Sequence, residues 1–108
     1  MKAATASKTN KRVTRETKLI ERVLAEGGFA HAEAYRYNSA CIRIRVVDPA
    51  FRDKSIVERE DLVYPLVEKL PEDTQADITF LLLITPEERE GRRAHLNWEF
   101  DDPTPSSL

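Results

Sequence analysis

The chain has 108 residues, of which 41% are hydrophobic and 33% charged, and its 17 basic and 19 acidic side chains leave a net charge of −2. This length favours one domain with a modest core, and this composition is typical of a globular protein rather than a disordered one. The near balance of charge excludes a general attraction to nucleic-acid phosphates, and no apolar run is long enough to cross a membrane. The single cysteine, Cys41, excludes an internal disulfide, so we expect a cytoplasmic protein.

The two ends of the chain differ from its middle. Residues 1–15 carry five basic side chains and no acid, without the apolar stretch of a signal peptide. We therefore expect residues 1–13 to form a disordered basic arm, residues 14–101 a single domain, and residues 102–108 a disordered tail. A first helix is predicted from Thr14, which can cap it, to the pair Gly27–Gly28, because glycine tolerates the left-handed turn that ends a helix.

From His31 the apolar period changes to two, which predicts an antiparallel hairpin around a turn at Ser39–Ala40. In the simplest register Tyr35 lies opposite Ile44, and one face of the hairpin is apolar and aromatic. The other face then carries three arginines, Arg36, Arg43 and Arg45. They could form a surface for an anion or a single strand.

Ser55 and Glu58 have the spacing of a capping box at the start of a second helix. The buried face of that helix is predicted to hold Ile56, Val63, Leu66, Val67 and Leu70. The apolar run 78–85 predicts a strand interior to the sheet, and Thr85-Pro86 predicts a further helix start. Residues 95–100 alternate as a strand does, or as an extended segment lying over Leu81 and Leu83.

This order predicts a two-layer α/β (α+β) fold with helices on one face of a small mixed sheet of three to four strands. The first two strands form the hairpin. The third returns through a helix, so it should pair in parallel.

The central stretch resembles the BolA family. That family's pattern is a strand ending in two valines, then Phe-x-Gly, and later Arg-His-Arg, two aliphatic residues and a tyrosine. The stretch VVDPAFRDKSIVEREDLVY matches that pattern at Val46, Val47, Phe51, Arg59, Leu62, Val63 and Tyr64. The resemblance covers residues 15–90 and implies the BolA fold, which is related to that of type II KH domains.

The chain departs from the family pattern at three positions. The family's glycine is Asp53, its histidine is Glu60, and its second arginine is Asp61. In the family, that histidine is offered to an iron–sulfur cluster shared with a monothiol glutaredoxin. A carboxylate is a harder, anionic ligand than imidazole, which argues against the cluster role here. The resemblance implies a non-enzymatic regulatory domain whose partner is a protein, with a monothiol glutaredoxin-like protein as one candidate. We expect Arg59, Glu60, Asp61 and Tyr64 to contact that partner.

Three other functions stay open at this point. Nucleic acid could bind Lys11 and Arg12 of the basic arm together with the three arginines of the sheet, although the Gly-x-x-Gly loop of KH domains is missing. The chain could be a monomer, or form a weak homodimer through an exposed strand edge. Cys41 is a weak candidate metal ligand, because with His31 and His95 it lacks paired spacing. No complete acid–base or nucleophile set is visible, so neither an enzyme nor a cofactor is expected.

Overall fold

The computed structural model describes residues 13–91 together with residues 100 and 105. The elements in chain order are α1 (Arg15–Glu26), β1 (Ala32–Asn38), β2 (Cys41–Val47), a 3₁₀ turn (Pro49–Phe51), α2 (Ile56–Val67), α3 (Glu72–Asp77), β3 (Ile78–Ile84) and α4 (Pro86–Glu90). They form a small α+β fold with a three-stranded mixed sheet, as predicted. The basic arm up to residue 12, and the tail apart from residue 105, lie outside the described residues.

The predicted helix starts are confirmed. Thr14 accepts from the backbone N–H of Thr17 at 3.3 Å, and the Thr17 hydroxyl accepts from the backbone N–H of Thr14 at 2.8 Å. The Thr14–Thr17 pair is a capping box, Ser55 and Glu58 form the expected second one, and Thr85 and Glu88 form a third at the start of α4. Each box satisfies backbone donors that a helix start leaves without partners. Gly28, just after α1, has a φ of 105°, which is the left-handed backbone that favours glycine.

The sheet has the order β1–β2–β3, with β1 and β2 antiparallel and β2 and β3 parallel. The parallel return of β3 through α2 confirms the crossover prediction. The prediction that β3 lies inside the sheet is wrong for the described part of the chain, where β3 is an edge strand. Its two faces are both covered, which explains its apolar sequence, while residues 13–91 provide no strand beside its second edge.

The hairpin register differs from the prediction because Tyr37 is an extra residue between Arg36 and Asn38. Beyond this bulge Tyr35 pairs with Arg43, and Arg36 pairs with Ile42. A one-residue shift moves every later side chain to the other face. The predicted face of three arginines is therefore not formed: Arg43 lies on the face of Tyr35, whereas Arg36 lies on the face covered by helices.

The main core lies between α1, α2 and the sheet. Ile20 and Leu24 of α1 and Val63 and Val67 of α2 pack there on strand residues that include Ile44. Phe51 stacks on Phe29 with 5.7 Å between ring centroids and closes one end of this layer. Ile56 was expected on the buried face of α2, but it is 57% exposed because it begins the helix beyond the end of the core.

The second face of the sheet carries a smaller apolar cluster of Val47, Leu82 and Ile84 with Phe80 beside it. Phe100 is fully buried on this face, in helical backbone, with its ring centroid 4.9 Å from that of Tyr35. The expected packing over Leu81 and Leu83 is wrong for Phe100, because those two leucines belong to the opposite layer. The rest of the predicted strand, residues 95–99, lies outside the described residues.

Candidate functional site

Among the four residues expected to contact a partner, Arg59 is buried and holds parts of the fold together. It begins the second turn of α2 and is only 6% exposed, with its guanidinium 5.9 Å from the centroid of Phe51. Its Nη1 donates to the carbonyl oxygen of Leu83 at 3.0 Å, and its Nε donates to the carbonyl oxygen of Lys54 at 3.0 Å. These bonds connect α2 to the end of β3.

The charge of Arg59 is matched by Glu88 in a two-bond ion pair. Nη1 lies 2.6 Å from Oε1 and Nη2 lies 3.0 Å from Oε2. The same Oε1 accepts from the backbone N–H of Thr85 at 3.0 Å, so Glu88 also completes the cap of α4. Arg59 was expected to contact a partner, but its guanidinium is buried and already matched by Glu88 inside the protein.

Glu60 and Tyr64 lie one turn apart on α2 and line an open groove. We call this the edge groove: it has a volume of about 510 Å³ and runs between α2, the start of α3 and β3. Its lining residues are Glu60, Tyr64, Val67, Glu68, Gln75, Ile78, Thr79, Phe80 and Leu81. Asp61 is exposed and is not among them. The structure thus separates the four predicted residues into a buried anchor, two groove residues and one solvated carboxylate.

The edge groove combines apolar walls with negative charge. Tyr64 is 45% exposed, and Ile78 and Leu81 are half-buried, so the groove offers an apolar floor that water can reach. Two of its lining residues, Glu60 and Glu68, are acidic, and none is basic. Arg59 borders a smaller cleft that shares Glu60 and Leu81, but its charge is matched by Glu88. The groove therefore favours a ligand with apolar surface and positive charge.

One wall of the edge groove is the edge of β3 that faces away from β2, which we call the free edge because no other strand lies beside it among residues 13–91. The carbonyl oxygen of Ile84 accepts from the Asp48 N–H on the β2 side, and that of Leu83 points the other way, to Arg59. Because backbone groups of alternate residues point to opposite sides of a strand, those of Leu81 point outward into the groove. Thr79 is an extra residue in the ladder with β2, where the pairing shifts between Ile78 and Phe80. Such an edge can accept another strand.

The three sheet arginines proposed for nucleic acid all take part in internal contacts. Arg36 donates to Asp77 at 2.8 Å, and Arg45 is fully buried under Phe100 with two bonds to Glu33. Arg43 stacks on Tyr37 with its guanidinium carbon 3.7 Å from the ring centroid. Lys11 and Arg12 lie outside the described residues. Two of these arginines stabilise the packing of aromatic rings on the second face of the sheet.

Cys41 begins β2, and its thiol shares a hydrogen bond with the hydroxyl of Thr79. His31 lies before β1 at the opposite end of the hairpin, about 20 Å away at the rise of a strand. His95 lies outside the described residues. Within the described part of the chain there is no group of three His, Cys, Asp or Glu side chains that could hold a metal ion. None of the helices described is long and apolar enough to cross a bilayer.

Sequence reasoning missed seven of the nine groove-lining residues, among them Glu68, Thr79 and Leu81. The acidic pair had a signal, because Glu60, Tyr64 and Glu68 recur every four residues and so lie along one side of a helix. Thr79 and Leu81 had none, because which strand lies at the edge depends on the sheet order.

Comparison of the chain with protein-family models, with curated proteins and with solved structures gives no significant match in any of the three. The resemblance to the BolA family therefore depends on the residues of the central stretch and on the order of the elements.

Proposed function

We propose that the chain is a non-enzymatic, BolA-like binding domain that acts through a protein partner seated in the edge groove. The observation that carries this proposal is the groove itself, which places Glu60 and Tyr64 beside an open strand edge. A partly exposed aromatic residue in a concave, part-apolar surface is typical of a protein-binding site.

The backbone at Asp53 supports the BolA-like part of the proposal. Asp53 stands where the family pattern has glycine, and its φ is 61°. Glycine adopts this left-handed backbone without steric cost, and aspartate is one of the few other residues that tolerate it. The element order and the parallel return of β3 also agree with what the resemblance implies.

The proposed partner class is a monothiol glutaredoxin-like protein, bound without ligation of its cluster by this chain. The family's histidine position is Glu60, which lines the groove but is a poor iron ligand. Nucleic acid has less support as the partner, because Arg36, Arg43 and Arg45 are engaged within the fold.

An NMR titration of the isotopically labelled full chain tests this function. One arm adds a monothiol glutaredoxin, with and without its iron–sulfur cluster, and the other adds a pool of single-stranded RNA oligonucleotides. We expect the glutaredoxin to shift amide signals of Glu60, Tyr64 and Leu81 while the visible spectrum of its cluster stays unchanged. Shifts caused by RNA alone, or by neither ligand, would contradict the proposal.

Two exposed residues of α2 provide a matched pair of variants for the same titration. Tyr64 lines the groove and is 45% exposed, whereas Val57 is 63% exposed and does not line it. Tyr64→Ala should weaken the complex by about tenfold or more, as expected for an aromatic residue at the centre of an interface. Val57→Ala should leave the affinity unchanged.

A further inference from the structure

The free edge of β3 and the side of α2 that faces it run alongside each other. Arg59, near the start of α2, reaches Leu83 near the end of β3. Val67, at the end of α2, lines the groove with Ile78, which begins β3. The two elements are therefore antiparallel neighbours, and the groove follows both of them.

The polar residues of this groove have a spacing that matches a strand. Glu60 in α2 and Glu68, the C-cap residue of that helix, are eight positions apart, which is about 12 Å along the helix axis, with Tyr64 midway. Residues four apart in an extended chain are separated by about 13 Å, and their side chains point to the same face. A strand laid along β3 would therefore place its residues i, i+2 and i+4 opposite Glu60, Tyr64 and Glu68.

We propose that an extended segment of the partner protein, with basic side chains four residues apart, adds to β3 as a fourth strand. The backbone groups of Leu81 pair with this segment, and its basic side chains lie against Glu60 and Glu68. Its central side chain, apolar or basic, covers the ring of Tyr64. This inference rests on the proposed function and names the chemistry of the partner.

Charge complementarity selects this occupant over a second copy of the chain. A two-fold pairing of β3 with β3 would bring the Glu60 and Glu68 side chains of both copies together, with no cation among the described groove-lining residues to match them. Like charges placed opposite one another weaken strand pairing. A basic segment instead gains both ion pairs.

Arg59 limits where the added strand ends. Its Nη1 already donates to the carbonyl oxygen of Leu83, so that group cannot pair with another strand. The open part of the edge is thus the first half of β3, and a segment of about five residues suffices to cover it.

A synthetic peptide provides the first test. The probe is Ala-Lys-Thr-Val-Thr-Lys-Ala with blocked ends, titrated into the labelled full chain and followed by NMR. We expect saturable shifts at Thr79 and Leu81, which both line the groove, and slower exchange of the Leu81 amide proton. The same peptide with glutamate in place of both lysines should not bind.

Backbone pairing is tested by changing the peptide and not the protein. N-methylation of the central valine and of the threonine before it gives two variants whose blocked amides point to opposite edges of the added strand. One should lose at least about tenfold in affinity and the other should change little, because only one amide faces β3. Equal effects of the two methyl groups would contradict strand addition.

Variants of the groove test whether the charges of Glu60 and Glu68 contribute to binding. Glu60→Gln and Glu68→Gln should each weaken peptide binding about threefold to fivefold at low salt, because each ion pair is partly exposed. Asp61→Gln, an exposed acid of the same helix outside the groove, should leave binding unchanged. An equal loss in all three variants would show only general attraction to an acidic surface and would overturn the proposal.

Other occupants of the edge groove, namely the chain's own basic arm or a second copy of the chain, would give different results in these experiments. If deletion of residues 1–12 shifts the Thr79 and Leu81 signals before peptide is added, the chain's own basic arm fills the groove and the proposal is wrong. A concentration-dependent dimer with the same shifts would assign the edge to a second copy and would also overturn it. If the glutaredoxin binds through Tyr64 while all peptides fail, strand addition is wrong and the proposed function stands.

Discussion

The buried pair of Arg59 and Glu88 predicts a strong and non-additive loss of stability. Arg59→Met keeps most of the side-chain volume but removes all four hydrogen bonds of the guanidinium. Breaking a buried ion pair costs about 3–5 kcal/mol. Because the side chain of Glu88 is 28% exposed and can recover some hydration, we expect the lower end, about 3 kcal/mol.

The second variant, Glu88→Gln, keeps an oxygen acceptor for Thr85 and for Arg59 but removes the charge. It leaves a guanidinium whose side chain is 8% exposed without a counter-ion, so we expect a loss of about 2 kcal/mol. The double variant lacks both charges. It should lose about 3.5 kcal/mol rather than 5, which gives a coupling of about 1.5 kcal/mol.

Urea denaturation followed by far-UV circular dichroism measures the free energy of unfolding of all four proteins. The matched control is the pair Arg52 and Glu87, which also forms two hydrogen bonds but has side chains 54% and 62% exposed. The same substitutions there should show no measurable coupling, because solvent screens exposed pairs. Additive losses at Arg59 and Glu88, within error, would refute the assignment of a buried ion pair.

Three further results are expected. Asp53→Gly should stabilise the protein by about 0.5–1 kcal/mol and Asp53→Val should destabilise it by about 1–2 kcal/mol in the same assay, because the backbone φ of 61° is left-handed. Phe100→Ala should cost about 3–4 kcal/mol in thermal or urea unfolding, because its fully buried ring packs edge-on against Tyr35. Backbone and side-chain hydrogen bonds with Ser55 hold the pKa of Glu58 below its ordinary value of 4.5, so this carboxylate contributes stability above pH 4.5 that is lost as pH falls through the lowered pKa. Unfolding measured between pH 7 and 2.5 should show a smaller acid loss in Glu58→Gln.

The elements that depend on local chemistry were predicted correctly from the sequence. The caps at Thr14 and Ser55, and the helix start at Thr85, each depend on side chains within three residues of one another. Gly28, after α1, acts through its own left-handed backbone. Such features need no knowledge of what packs against them, so their patterns are reliable.

The prediction of the hairpin register was wrong because the register depends on distant contacts. Alternation alone cannot show that Tyr37 bulges out of the ladder, and this bulge is what brings Tyr35 and Arg43 together. Side-chain period in a strand is two, so one extra residue reversed the predicted faces. The burial of Arg59 could not be predicted for a related reason, because its partner Glu88 is 29 residues away along the chain.

The three charged residues of the central stretch therefore have different physical roles, although they are consecutive in sequence. Arg59 faces inward and joins α2 to β3 and α4, Glu60 lines the edge groove, and Asp61 is solvated. A helix turns by about 100° per residue, so three neighbours necessarily face the core, the groove and the solvent in turn. The BolA-like pattern keeps arginine at the inward position and departs at the other two. Glu60 is only partly buried, so an acid there is compatible with the fold, and it is this acid that the proposed basic segment would contact.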